Sequence, residues 1–212
     1  LPLVHIKSLL FGNFMISLPY FNYGGLCAEN PEVQNMLLGE AINKAISLNA
    51  EFIELRNINS LNNGLTVRTP KVSMLLELPD SPEHLWRSFT SKLKSQIRRP
   101  EKEGMYVRIG KEEELDNFYN VFAINMRDLG TPVYSKKFFE NILKEFPETA
   151  WLCTIYNKED KPTASGFLIG FKEKIEIPWA SSIKRYNRYS PNMLLYWCAL
   201  KFACEKGFKI FD

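Results

Sequence analysis

The stretch Glu176–Trp197, EIPWASSIKRYNRYSPNMLLYW, decides the fold. It opens as a strand, passes through a polar loop and ends as a helix. Ser190 is the expected N-cap of that helix, with Pro191 at its first position, where a missing N–H costs nothing. The loop is crowded with Asn, Ser, Arg and Tyr and contains no glycine. A backbone that wraps closely around a phosphate depends on glycine, so recognition at this junction falls to side chains.

Working outward, KIEIPWAS, TASGFLIGF and WLCTIYN read as three strands before the loop, and MYVRIG as a fourth. Between them, LDNFYNVFAINMRDL and KKFFENILKEF are two helices joined by GTPVYS. Downstream, SPNMLLYWCALKFACEKG is a helix stopped at Gly207, and FKIFD closes the chain as a strand. From Met105 the order is therefore β-α-α-β-β-β-α-β. A further helix is expected over residues 82–103, with Trp86, Phe89, Leu93 and Ile97 as its apolar stripe and Pro100 ending or kinking it. The N-terminal part reads as a hairpin, LVHIKSLL and FMISLPYF, turning at Gly12-Asn13. A loop with Gly24-Gly25 follows, then a helix capped by Asn30-Pro31 with Val33, Met36, Leu37, Ala41, Ile42, Ala45 and Ile46 at helical spacing. After a short strand, FIELR, comes the turn-rich stretch 57–70, and KVSMLLEL is a further strand.

Two stretches echo each other. ISLPYFNYGG…NMLLGEAINKAISLNAEFIELR and IEIPWASSIKRYNRYSPNMLLYWCALKFACEKGFKIFD share Pro19 with Pro178, Met36-Leu37-Leu38 with Met193-Leu194-Leu195, and Phe52 with Phe208. Strand, strand, loop, helix, strand occurs twice at nearly constant offset, which reads as a duplicated α/β unit. The element order after Met105 is similar to the acetyltransferase (GNAT) fold as far as its fifth strand. In that fold the sheet parts after the fourth strand, and the acyl donor sits in the parting.

Two such units in one chain resemble the Fem-type aminoacyltransferases. LPYFNYGG, KLKSQIRRPEKEG, NMRDLGTPVYSKKFFENIL, EIPWASSIKRYNRYSPNMLLYW and the terminal FD resemble, more narrowly, the FemAB-related proteins of PEP-CTERM/exosortase systems. The expected fold class is α/β: tandem GNAT-like units with mixed sheets flanked by helices, both truncated. Residues 1–80 would form a partial first unit. Residues 81–212 would form the second, entered by the helix over 82–103 and cut after its fifth strand. An upstream part of the first unit, and a glycine-containing motif with further strands after Asp212, are expected from the resemblance. The strand-like text at both ends, LPLVHI and FKIFD, agrees with an excerpt of a longer protein.

The resemblance implies an acyl or aminoacyl transferase acting on an amine, in cell-envelope or exopolysaccharide-linked biosynthesis in the cytoplasm. Its partners would be an activated acyl donor, either aminoacyl-tRNA or an acyl thioester, and an amine acceptor such as a cell-envelope precursor. The usual coenzyme A pose is disfavoured by the glycine-free loop. A non-catalytic module that binds a glycan or a lipid-linked sugar is the rival reading.

The candidate binding residues follow from position and chemistry. Ser181, Ser182, Arg185, Asn187, Arg188 and Asn192 precede a helix whose free N–H groups favour an anion, against a rigid loop that satisfies its own backbone. Arg98 belongs to a basic stripe with Arg87, Lys94 and Lys102, against a solvated helix face. Asn125, Arg127 and Thr131 sit at a helix end that borders the acceptor site in the GNAT fold, against simple capping by Gly130. Trp179 either stacks on a ligand or packs in the core, and Tyr23 in the matching loop of the first unit shares that ambiguity. No catalytic residue is selected; Asp128 and Asp212 are the available carboxylates for a general base. An amine is itself a nucleophile, so positioning and oxyanion stabilisation are the expected contributions of the enzyme.

Composition bounds the rest. The chain has 212 residues, 45% apolar and 13% aromatic, enough for a sizeable core, and its net charge of +3 does not suit a general nucleic-acid binder. No apolar run approaches the ~18 residues needed to span a membrane. Cys27, Cys153, Cys198 and Cys204 form no C-x-x-C pair and read as four buried free thiols. His5 and His84 read as structural, and no His, Cys and carboxylate cluster stands at metal-ligand spacing.

Overall fold

A computed structural model describes residues 1–59, 61, 64–69 and 72–212. Part of the turn-rich stretch 57–70 and the first residue of KVSMLLEL lie outside the described residues. The chain divides into two compact units, Leu1–Val72 and Ser73–Asp212.

In the first unit, β1 (Val4–Ser8) pairs antiparallel with β2 (Gly12–Ile16), and β2 pairs parallel with β3 (Ile53–Glu54) across α1 (Pro31–Ser47). The hairpin turns at Leu9–Phe11, not at Gly12-Asn13. Ser8 pairs with Gly12, so the loop has three residues and closes on Gly12 at φ 88°, the geometry of a three-residue turn. Asn13 is used elsewhere: its Nδ2 donates to the carbonyls of Leu48 and Asn49 at 3.0 and 2.7 Å, tying the end of α1 to β2. Asn30 caps α1 as expected, its Oδ1 accepting from the Val33 N–H at 2.9 Å. Of the apolar stripe on α1 only Ala41 and Ala45 are buried; Met36 and Ile46 stay exposed.

The second unit is a six-stranded sheet in the order β4-β9-β8-β7-β6-β5: β4 (Leu76–Glu77), β9 (Ile210–Phe211), β8 (Lys174–Ser182), β7 (Pro162–Phe171), β6 (Ala150–Tyr156) and β5 (Tyr106–Gly110). Only β8 and β9 pair in parallel, through α6 (Pro191–Glu205); all other neighbours are antiparallel. The β1-β2-α1-β3 pattern thus repeats as β7-β8-α6-β9. KVSMLLEL and FKIFD shrink to two-residue strands, as does FIELR, because pairing partners exist only over those residues.

Both sheet faces are covered. On one, α6 packs over Cys153, Ile155, Ala164, Leu168 and Ile175, with α2 (Pro82–Ser88) and α3 (Ser91–Lys102) outside it. On the other, α4 (Leu115–Asp128) and α5 (Lys136–Glu145) bring Phe118, Phe122 and Phe139 onto Phe167 and Trp179, with most rings edge to face at centroid distances of 4.9–5.8 Å. The single helix expected over 82–103 is two. Phe89 turns extended (ψ 143°), and Thr90 starts a new helix, its hydroxyl accepting from the Leu93 N–H. Pro100 neither ends nor visibly interrupts α3. It is buried in the last turn, its carbonyl accepts from the Glu103 and Met105 N–H groups, and the helix runs on to Lys102. Of the four thiols, Cys27 is exposed and Cys198 half-buried; all are free.

Candidate functional site

The site is built where β8 changes face. Phe167 on β7 lies opposite Trp179, and Ile169 opposite Glu176. One residue of β7 therefore faces two of β8, Ile177 and Pro178: a β-bulge, placed where proline's missing N–H is tolerated. Before the bulge Ile175 and Ile177 point to α6; after it Ala180 does, while Trp179 and Ser181 point to α4 and α5. Ile177 N–H donates to the Asp212 carbonyl at 3.2 Å and Asp212 N–H to the Ile175 carbonyl at 2.9 Å. Within the described residues the sheet is continuous in order.

The backbone beyond the bulge has a fixed parity. Ile183 N–H bonds the Thr163 carbonyl at 2.9 Å, so Trp179, Ser181 and Ile183 turn their backbone groups toward β7. Ala180 and Ser182 turn theirs to the opposite edge, away from β7. An N–H at such an edge is a donor for an extended ligand or an oxyanion.

A polar row crosses the α4 face beside this edge. Thr154 and Ser165 are paired hydroxyls 2.8 Å apart, and Ser165 also donates to the Cys153 carbonyl at 3.1 Å. Ser165 stands opposite Ser181, whose Oγ accepts from Asn125 Nδ2 at 3.2 Å. Thr154, Ser165 and Ser181 are all buried. Ser181 has spent a lone pair on Asn125, so its own hydroxyl proton is left to point elsewhere.

Just before the bulge stands a charged cluster. Lys174 and Glu176 share one face of β8, and Asp212, the residue after β9, places its charge beside Glu176. Lys174 Nζ lies 2.5 Å from the buried Oδ2 of Asp212, a close ion pair. Burial raises the Glu176 carboxyl above its ordinary pKa, the neighbouring Asp212 charge raises it further, and Lys174 pulls the other way. Glu176 heads the decisive stretch, yet strand alternation alone did not separate it from a solvated carboxylate; only the neighbouring β9 does. Of the two carboxylates named from sequence, Asp212 is in this cluster, whereas Asp128 is tied up with Arg127 at 2.9 Å.

The remaining expected residues divide. Trp179 is buried among Tyr134, Phe138, Phe139 and Phe167, walling the site. Thr131 is exposed beyond Gly130 (φ 68°), its N–H bonded to the Met126 carbonyl. The loop after β8 is a 3₁₀ turn, Lys184–Tyr189, in which Arg185 and Arg188 are exposed and lie over the rings of Tyr186 and Tyr189 at 4.8 and 4.6 Å. Ser182 donates to Asn187 Oδ1 at 3.2 Å, and Asn192 is exposed in the first turn of α6. Ser190 does not cap α6 with its side chain. It sits at φ 61°, and its carbonyl takes the Met193 N–H instead. Arg98 lies on α3, in a separate groove, and the basic stripe is split, because Arg87 belongs to α2. Tyr23 lies in the first unit, half-buried beside Gly24 and Gly25, whose N–H groups bond the Arg56 carbonyl. Burial pushes the Cys153 thiol well up and Cys198 to about 12, so both stay thiols and neither suits nucleophilic attack.

Against known proteins, residues 87–212 match the acetyltransferase (GNAT) domain family. The UDP-N-acetylmuramoylpentapeptide-lysine N(6)-alanyltransferase of Weissella viridescens is 26% identical over 140 residues, which is 64% of this chain and 41% of that enzyme. The chain thus spans less than half the length of that relative. The crystal structure of FemX aligns over 99% of this chain and 74% of its own, at 16% identity and TM-score 0.65. The C-terminal domain of a putative lysylphosphatidylglycerol synthetase from Agrobacterium fabrum aligns over 65% of this chain and 44% of its own, at 14% identity and TM-score 0.51. These two structures bear on the fold. No helix among the described residues is long and apolar enough to cross a membrane.

Proposed function

We propose, from the premise that the chain belongs to the acetyltransferase (GNAT) domain family, that it transfers an activated aminoacyl or acyl group to an amine of a cell-envelope precursor. The observation that carries this reading is the bulge at Ile177–Pro178. It turns the Ala180 N–H to the strand edge opposite β7, between a carboxylate cluster on one side and a hydroxyl–amide pair on the other.

The acyl carbonyl lies along that edge, and Ala180 N–H donates to its oxygen as negative charge develops. The amine nitrogen attacks the carbonyl carbon. The C–N bond forms, the bond from carbon to the ester oxygen or thioester sulfur breaks, and the leaving group departs with one proton. Glu176, whose carboxyl burial holds above its ordinary pKa, takes the proton the amine sheds and passes it to the departing oxygen or sulfur. Asn125 and Ser181 hold the substrate's polar groups, and Trp179 walls the site. The Lys184–Tyr189 turn offers arginine side chains in place of a glycine backbone cradle. This favours aminoacyl-tRNA over coenzyme A in its usual pose, and a tRNA-borne donor sets the reaction in the cytoplasm. The motifs quoted above further support a place in the PEP-CTERM/exosortase-associated branch of FemAB-related proteins.

The test is turnover. Purified protein is offered alanyl-tRNA or acetyl-CoA with a lysine-containing muropeptide precursor, and the acceptor is weighed by mass spectrometry. An aminoacyl mass gain that Glu176→Gln abolishes is expected. Calorimetric binding of a glycan with no turnover of any donor would instead establish the non-catalytic module.

A further inference from the structure

On the outer side of α6, away from the β8 edge, α2, α3 and α6 enclose a groove of about 380 Å³, within the roughly 300–1,000 Å³ range of ligand clefts. Its floor is aromatic. Trp86 and Trp197 have ring centroids 4.7 Å apart, and Phe89 meets them edge-on at 6.0 and 5.7 Å. The Arg98 guanidinium lies 5.2 Å from the Trp86 ring centre. Arg87 and Lys201 stand at the rim with Glu83 and Glu101.

The charges are unequally spent. Glu83 is occupied at the start of α2, where its carboxyl accepts from its own N–H and from the Ser81 hydroxyl. Among the described residues no carboxylate lies within ion-pair distance of Arg87 or Arg98. Lys201 pairs with the exposed Glu205 at 3.8 Å, a pair worth little in water, and its charge also acts on Glu83. Lys94 adds a further positive charge, its Nζ bonded to the Arg87 carbonyl at 3.2 Å. Around the indole platform two carboxylates, Glu83 and Glu101, stand against Arg87, Arg98 and Lys201, with Lys94 adding a fourth cation.

We propose that this groove binds a nucleoside phosphate. The base stacks on the indole surface, as bases do on aromatic platforms. The phosphate is held by Arg87, Arg98 and Lys201 through charge-assisted bonds that suit a guanidinium fork. Glu101 accepts from the ribose hydroxyls, the role an acidic residue plays in dinucleotide sites. The site does not depend on the transfer reaction.

Tryptophan fluorescence is followed while AMP, UMP, adenosine, inorganic phosphate and a single-stranded trinucleotide are added separately to the protein. Saturable quenching by AMP or UMP is expected, with adenosine and phosphate each at least tenfold weaker. Arg98→Ala and Arg87→Ala should each weaken nucleotide binding roughly tenfold. Trp197→Phe should remove most of the signal, with binding then read by calorimetry. Tighter binding of the trinucleotide than of AMP assigns the source to the end of an RNA; the reverse assigns it to a free nucleotide. Phosphate as effective as AMP, or nucleotide binding indifferent to Arg87→Ala and Arg98→Ala, overturns the proposal. Transfer activity is scored separately, so a chain that turns over without nucleotide binding here loses this site and keeps the proposed function.

Discussion

Glu176 is the residue on which the chemistry turns, and its surroundings set a pH dependence. Burial raises its pKa, Asp212 raises it further and Lys174 lowers it. If it accepts the proton, kcat/KM falls on the acid side below that raised pKa, at a pH above the ordinary carboxylate value of about 4.3. Glu176→Gln should remove this limb and cost roughly 10²–10⁴-fold in rate. Asp212→Asn should move the limb to lower pH and Lys174→Met to higher pH; a limb that stays put in all three variants would rule Glu176 out. The stability sign follows the same shift. The fold favours the protonated carboxyl, so this residue's contribution declines as pH rises from the ordinary value through the raised one, and Glu176→Gln should not lower Tm at pH 7. Ser181→Ala tests the binding pair: it removes one hydrogen bond, about 1 kcal/mol of stability, and is expected to reduce kcat/KM about tenfold. An unchanged kcat/KM would make the Asn125–Ser181 bond purely structural. The sequence named Ser181 and Asn125 as separate candidates but could not join them, since a contact across 56 residues has no local signal. Glu176 escaped for the related reason that its pKa depends on a neighbouring strand.

At the scale of elements, strands and helices were legible where their own pattern sufficed. β5 to β8, α1 and α4 to α6 fall close to where alternation, helical spacing and capping put them. The bulge was not legible. Pro178 marks an irregularity, but which residues shift depends on register against β7, and that shift turns Trp179 and Ser181 toward α4 while Ile177 and Ala180 face α6. The break between α2 and α3 was available in Phe89-Thr90-Ser91, yet a continuous apolar stripe through Trp86, Phe89, Leu93 and Ile97 masked it. The stripe is continuous because Trp86, Phe89 and Trp197 meet in one aromatic cluster across the break. Thr90 is then a true N-cap. Thr90→Ala should cost about 1 kcal/mol and lower Tm by roughly 4 °C in calorimetry, whereas Thr90→Ser should leave it nearly unchanged. Equal Tm values for the alanine and serine variants would mean that packing, and not the cap, starts α3.

Across the whole molecule, the two units differ in what they bury. Among the described residues of Leu1–Val72, the buried apolar side chains are Met15, Ile16, Ala41 and Ala45. Ser73–Asp212 has a six-stranded sheet with a packed core on each face, including Phe118, Phe139, Phe167, Leu168 and Leu195, all fully buried. Three short strands and one helix with so little apolar burial fall short of the entropy of ordering them. The duplication legible in the sequence is therefore one of chain path and not of stability, because side-chain burial depends on neighbours that the repeat alone does not supply. The fragment 73–212 should unfold in one cooperative transition with native near-UV dichroism, and the fragment 1–72 should show none. Phe139→Ala, which empties the centre of the aromatic cluster, should then destabilise fragment 73–212 by about 3–5 kcal/mol. A sloping, non-cooperative melt of 73–212 would show that its two faces do not suffice, and that the first unit contributes stability beyond its own buried residues.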